Sequence, residues 1–160
     1  MNFRTDLTAL LLCGSLPAQM VPVKPSGGGE LMIQGVPYTL DLTTLSSAPP
    51  KGGLSGAIRL EGELLPKDGS APFHLALTLL KDGTFYQLRI ERQTTPPLTD
   101  HWAATLKTRI KVRSLADRPG GRVELRCEGP LTGIITQHPQ DTTWSGTLWG
   151  VFPQPNPELR

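Results

Sequence analysis

The chain has 160 residues, a formal net charge of +2, 38% hydrophobic residues, 17 glycines and 16 prolines. That length fits one domain with a short arm, and the two poorest helix formers, at about a fifth of the chain, exclude a long-helix protein. The near-neutral charge gives no basis for a nucleic-acid binder, and the alternating apolar content excludes global disorder.

Residues 1–19 read as a signal peptide or an N-terminal arm. Arg4 supplies positive charge, Leu7–Leu12 form an apolar run, and Pro17-Ala18 resemble the small-residue end of a secretory signal, with cleavage after Ala18 or Gln19. Asp6 and Leu16 depart from that pattern. As a retained arm, Thr5 or Asp6 would cap a helix that Gly14 ends. The run is too short to span a bilayer, so an integral membrane protein is not expected. Leu10-Leu11-Leu12-Cys13 makes a poor lipidation motif, and the two cysteines, Cys13 and Cys127, form no disulfide framework. Residues 20–29 read as a Pro/Gly linker, 30–152 as a β domain, and 153–160 as a Pro-rich tail.

Within the domain, period-2 alternation marks the strands. Glu30–Gln34 and Tyr38–Thr43 are weak candidates. Ile58, Leu60, Gly62 and Leu64 then share a face opposite Arg59, Glu61 and Glu63. Phe73, Leu75, Leu77 and Leu79 form the next inward row, followed by Tyr86, Leu88 and Ile90. Leu106, Thr108, Ile110 and Val112 alternate with Lys107, Arg109, Lys111 and Arg113. Val123, Leu125 and Cys127 alternate with Arg122, Glu124, Arg126 and Glu128, and Leu131–Gln137 and Thr143–Phe152 are two further weak strands. Turn residues separate them: Pro66-Lys67-Asp68-Gly69, Lys81-Asp82-Gly83 with positive φ at Asp-Gly, Pro96-Pro97 and Arg118-Pro119-Gly120-Gly121. The pattern gives an all-β fold. It is a single antiparallel meander-type β-barrel or β-sandwich of about eight or nine strands, with an extended N-terminal segment and a Pro-rich C-terminal tail. Any helix would lie in the first fourteen residues or in the loop Ser46–Gly53.

Lys107, Arg109, Lys111 and Arg113 are the most conspicuous charge pattern. If Arg113 faces Arg122 across a hairpin, Lys111 meets Glu124 and Lys107 meets Glu128, which half-neutralises the row and makes it a solvated face. The alternative is a strip for an anionic surface such as phosphate, polysaccharide or acidic lipid. No aromatics interleave with it, so single-stranded nucleic acid is not the expected partner. Trp102, Trp144 and Trp149 gather in the C-terminal half and are candidate contacts for a partner or ligand. Trp144 and Trp149 have opposite parity, so one fills the core and the other is a candidate contact for a partner, unless the tail covers it.

Catalytic and metal chemistry have little support in the sequence. His74, expected on an outer strand face, and His101 and His138, expected in loops, have no metal-motif spacing. Cys127 alternates inward as a structural thiol, and no Gly-x-Ser-x-Gly elbow occurs. Glu61 and Glu63 share a face with Arg59, which makes a surface cluster. No catalytic residue, metal or cofactor is therefore expected. The reading is a non-catalytic exported β protein that acts by binding or assembly at a cell surface or envelope, in the periplasm or outside the cell. Its partner is another protein or its own copies. The alternatives are a virion structural protein (capsid decoration or tail component) that assembles through terminal arms, and a carrier of a small apolar ligand.

Overall fold

The computed structural model describes residues 24–49, 56–93 and 99–154. The segment 1–19 and the tail beyond Gln154 lie outside the described residues. Nine strands follow one another: β1 (Ser26–Ile33), β2 (Val36–Ala48), β3 (Ala57–Pro66), β4 (Phe73–Leu80), β5 (Phe85–Gln93), β6 (Thr99–Ala104), β7 (Arg109–Leu115), β8 (Arg122–Ile135) and β9 (His138–Val151). All ladders are antiparallel, in the order β6-β5-β4-β3-β2-β1-β9-β8-β7, and an additional β6–β8 ladder closes eight strands into a barrel with β7 as the extra strand. A ring of ladders rules out the sandwich.

The inward rows of β3 and β4 lie where alternation puts them: Ile58, Leu60 and Leu64, and Phe73, Leu75, Leu77 and Leu79, are all buried. Leu31, Ile33, Leu40, Leu42, Leu88, Ile90, Val123, Leu125, Leu131 and Leu148 complete a continuous aliphatic interior, and Phe152 lies under the lower mouth.

Five details differ from the sequence reading, each for a local reason. The linker ends earlier, because Ser26–Gly29 belong to β1, between β2 and β9. Glycine is needed there. A Cβ at Gly27 would lie 2.5 Å from Leu42 Cδ2 and 2.6 Å from the Trp149 carbonyl oxygen. In β5 a bulge opposite Thr78/Leu79 puts Phe85 across from Leu79 and leaves Tyr86 66% exposed. In the hairpin before it, only Gly83 has positive φ (87°), because the loop has three residues, with Asp82 Oδ1 accepting the Thr84 N–H. β6 carries no aliphatic alternation and does not read as a strand, yet it supplies the closing ladder and holds His101; His138 likewise opens a strand. Finally, Arg122–Glu128 and Leu131–Gln137 are not two strands. β8 runs unbroken through Gly129-Pro130 to Ile135, paired throughout with β9.

The break lies instead in β8's other neighbour. In a strand, a residue's N–H and C=O point to the same side. The Thr108 hydroxyl donates to the Pro130 carbonyl, so Pro130 also presents its missing N–H to that edge. β6 pairs with β8 up to Ala104↔Leu131, leaves, and returns as β7 at Arg109↔Glu128. Residues 105–108 form the jog, tied by Thr108 N–H to Thr105 O (3.1 Å) and Thr105 N–H to Thr108 Oγ1 (2.8 Å). A Cβ at Gly129 would lie 2.8 Å from the Lys107 carbonyl oxygen. The jog buries Thr108 and turns Leu106, expected on the inner face, fully outward.

The closing ladder is held at the upper mouth by Asp100, whose side chain is 4% exposed. Arg92 Nη2 donates to its Oδ2 (2.8 Å) and the Thr136 N–H to its Oδ1 (2.7 Å). Burial works against the ionised carboxyl, but the Arg92 and Thr136 hydrogen bonds and the Arg92 charge outweigh it and hold the pKa below the usual carboxylate value. A depressed pKa stabilises the fold above the unfolded-chain value near 4, and that stability is lost as pH falls through the lower folded value. Asp100→Asn keeps an acceptor for Thr136 but presents no charge to Arg92. It should lower unfolding free energy by about 2–3 kcal/mol at neutral pH, and the gap to wild type should close in strong acid. Urea melts of both proteins from pH 7 to pH 2 check this, and a gap independent of pH would contradict it.

Candidate binding face

Trp102 and Trp144, two of the three expected tryptophan contacts, are core residues, 4% and 2% exposed. Trp102 stacks on Phe73 (centroids 4.9 Å apart, planes at 28°), and the Arg92 guanidinium lies 4.4 Å above that ring on its way to Asp100. Tyr38 meets Phe73 edge-on at 6.2 Å. Burial raises the Tyr38 phenol's pKa, and the Arg92 charge partly offsets this. This Arg92–Asp100–Thr136 cluster was missed in the sequence. Its signal was parity, because Arg92 falls on the inward row of Leu88 and Ile90, and an inward cation needs an inward acid.

Trp149 points outward and is half-buried, with the Arg122 guanidinium 4.9 Å from its ring. Its neighbour across the ladder is Glu124. Glu124 in turn takes Arg122 at 3.2 Å and lies 4.0 Å from Arg113. Trp149 and Arg113 are thus parts of one outer face built from β7, β8 and β9. Arg109 and Lys111 lie on the same face, and Lys107 sits in the jog above it; all three are exposed.

The register of this face differs from the expected one. Arg109, not Lys107, stands opposite Glu128, and Lys111 stands opposite Arg126. The jog consumes residues that a simple hairpin would have placed in the ladder. A bulge between Val112 and Ser114 then shifts the pairing again, so that Ser114 faces Glu124. Glu128 lies 3.7 Å from Arg126 on its own strand. Among the described residues, Lys107, Arg109 and Lys111 make no ion pair. Leu106, Lys107, Arg109, Glu128 and Gly129 line a shallow groove at this edge.

Other candidate chemistry is dispersed. Among the described residues no three His, Cys, Asp or Glu side chains come together. His74 Nδ1 lies 3.1 Å from Glu63 Oε1 on the outer face of β3 and β4. Glu61 is paired with Arg59 rather than with Glu63. Burial pushes the Cys127 thiol up to about 12, which keeps it protonated and unreactive. Among the described residues no helix is long and apolar enough to cross a membrane.

No protein-family model, curated protein or solved structure matches the chain.

The three tryptophans should therefore respond unequally to a quencher. Acrylamide should quench wild-type fluorescence mainly through Trp149, and Trp149→Phe should lower the quenching constant several-fold. An unchanged constant would mean that Trp149 is covered.

Proposed function

We propose that this chain is a non-catalytic, exported β-barrel that acts by binding or assembly at a cell surface or envelope, and that its partner presents negative charge to the β7–β8–β9 face. One observation carries the reading. Among the described residues Lys107 and Lys111 stand exposed with no ion pair and no acid opposite them, and Arg109, though opposite Glu128, makes no ion pair with it, whereas Arg113, Arg122 and Arg126 on the same face are paired. Exposed like charges at neighbouring positions, such as Lys111 opposite Arg126, repel one another. An anionic partner relieves that repulsion and is drawn in by it. Trp149, stacked under Arg122, adds a flat apolar contact at the edge of the patch. The signal-like start of the chain supports export.

Retention on a sulfated-polysaccharide column tests the binding half. Lys107→Glu with Lys111→Glu should elute at clearly lower salt than wild type. Arg59→Glu with Lys67→Glu, which changes net charge equally elsewhere, should elute between the two. Equal shifts for both pairs would show only a net-charge effect and remove the face. Amino-terminal sequencing of the natural protein tests export, and an intact Met1 would overturn it.

A further inference from the structure

β7 is laddered on one edge only. β8 pairs with it from Arg109↔Glu128 to Leu115↔Val123, and among the described residues no strand pairs with its other edge. The neighbour in the wall on that side is β5, whose ladder to β6 runs only from Gln93↔Thr99 to Arg89↔Ala103. Below Arg89, the residues Phe85–Leu88 are laddered to β4 alone. The barrel wall therefore contains a seam between the lower half of β5 and β7. Above, the β5–β6 ladder closes it. Below, it is pinched by the Lys81–Asp117 ion pair (2.9 Å) and by Gly83, where a Cβ would lie 3.4 Å from Val112.

The seam has two further properties. Phe85, Ile110, Val112 and Leu115 pack against the core yet are only partly buried, so apolar surface is exposed along it. Its outer rim carries two of the most exposed large hydrophobic residues, Tyr86 (66%) and Leu106 (107%). Continuing the β5–β6 register past Arg89↔Ala103 brings these two to about the same height. Beside Leu106 lie Lys107, Arg109 and Lys111.

Three occupants can be compared. A second copy pairing β7 with β7 would set Arg109, Lys111 and Arg113 against the same cations, and like charges across strands are destabilising. A lipid surface would gain from Leu106 and the cations, but it offers nothing to unladdered N–H and C=O groups, which are costly to leave unpaired in hydrocarbon. An extended peptide satisfies all three features. Its backbone completes the edge, its apolar side chains lie on Ile110 and Val112, and its carboxylates meet the unpaired cations.

We propose that an extended segment of a partner protein, with carboxylates on one face and apolar side chains on the other, adds as a strand to the free edge of β7 and fills the seam. This rests on the reading of the β7–β8–β9 face as anion-binding. The bulge at Arg113 limits regular pairing to Arg109–Val112, so the added strand is short and exchanges readily. It also accounts for an edge that resists self-pairing yet stays open to an acidic partner.

The test uses the full chain, labelled with nitrogen-15, and a short capped peptide alternating valine and glutamate. The expected result is saturable shifts confined to the amides of 85–88 and 109–115. Lys111→Glu should weaken binding about fivefold, and Lys111→Gln less. N-methylating the peptide's edge amides should abolish binding. No binding, shifts elsewhere, or equal binding of a valine–lysine peptide would each overturn strand addition. If the N-methylated peptide binds as well as the parent while the column still distinguishes the Lys107/Lys111 pair, strand addition fails and the anion-binding reading stands. If the column effect is also absent, both fail. Leu106-dependent binding to phosphatidylserine-containing vesicles without peptide binding would replace the peptide by a lipid surface.

Discussion

Pro130 has no N–H, and much of this barrel is arranged around that missing donor. β8 needs partners on both edges because it lies in a closed wall. On the β9 side the ladder is continuous. On the other side it cannot be regular at Pro130, so the neighbouring strand leaves the wall, jogs through 105–108 and re-enters as β7. Thr105 and Thr108 supply the compensation. Their hydroxyls donate to the Pro130 carbonyl, and Gly129 leaves room for the crossing backbone. One absent hydrogen thus splits a strand, ejects Leu106 and leaves β7 bonded on one edge.

The upper mouth must then hold the closure, because the β6–β8 ladder is only four residue pairs long, His101↔Ile134 to Ala104↔Leu131. Asp100 extends it. One carboxylate ties β5 through Arg92, and through the Thr136 N–H it ties the β8–β9 turn. That turn is strained, since Thr136 and Gln137 have φ of 47° and 66° without being glycine. A β-branched residue keeps such a conformation only where its surroundings impose it, and the Asp100 hydrogen bond is part of that imposition.

Alternation made the inward rows of β3 and β4 and of the lower part of β8 legible, because each buries a face built from Leu, Ile, Val or Phe. What alternation cannot show is where a ladder slips. Tyr86 has the parity of Leu88 and Ile90 but lies outside, because the bulge is a property of the β4–β5 pair. β6, Thr-Asp-His-Trp-Ala-Ala, has no aliphatic signature, since its inward residues are an ion-paired acid and a tryptophan. Gly27–Gly29 read as a linker because glycine signals flexibility when seen alone. Only the neighbouring β9 backbone shows that a side chain would not fit at Gly27 or Gly29.

The binding face depends most on register. With the simple hairpin register, Lys107 and Lys111 would each have met a glutamate, and the basic row would have been half-neutralised. The jog shifts the pairing by two residues, and the bulge shifts it once more. Arg113 then reaches toward Glu124, Glu128 lies nearer to Arg126 than to the Arg109 opposite it, and among the described residues Lys107, Arg109 and Lys111 make no ion pair. The two-residue shift keeps Arg109 and Lys111 on the outer face while changing what each one opposes. The same proline that opens the edge of β7 therefore also leaves its charges uncompensated. Backbone groups without a partner and cations without a partner occur together on one strand, and a single occupant, extended and acidic, satisfies both.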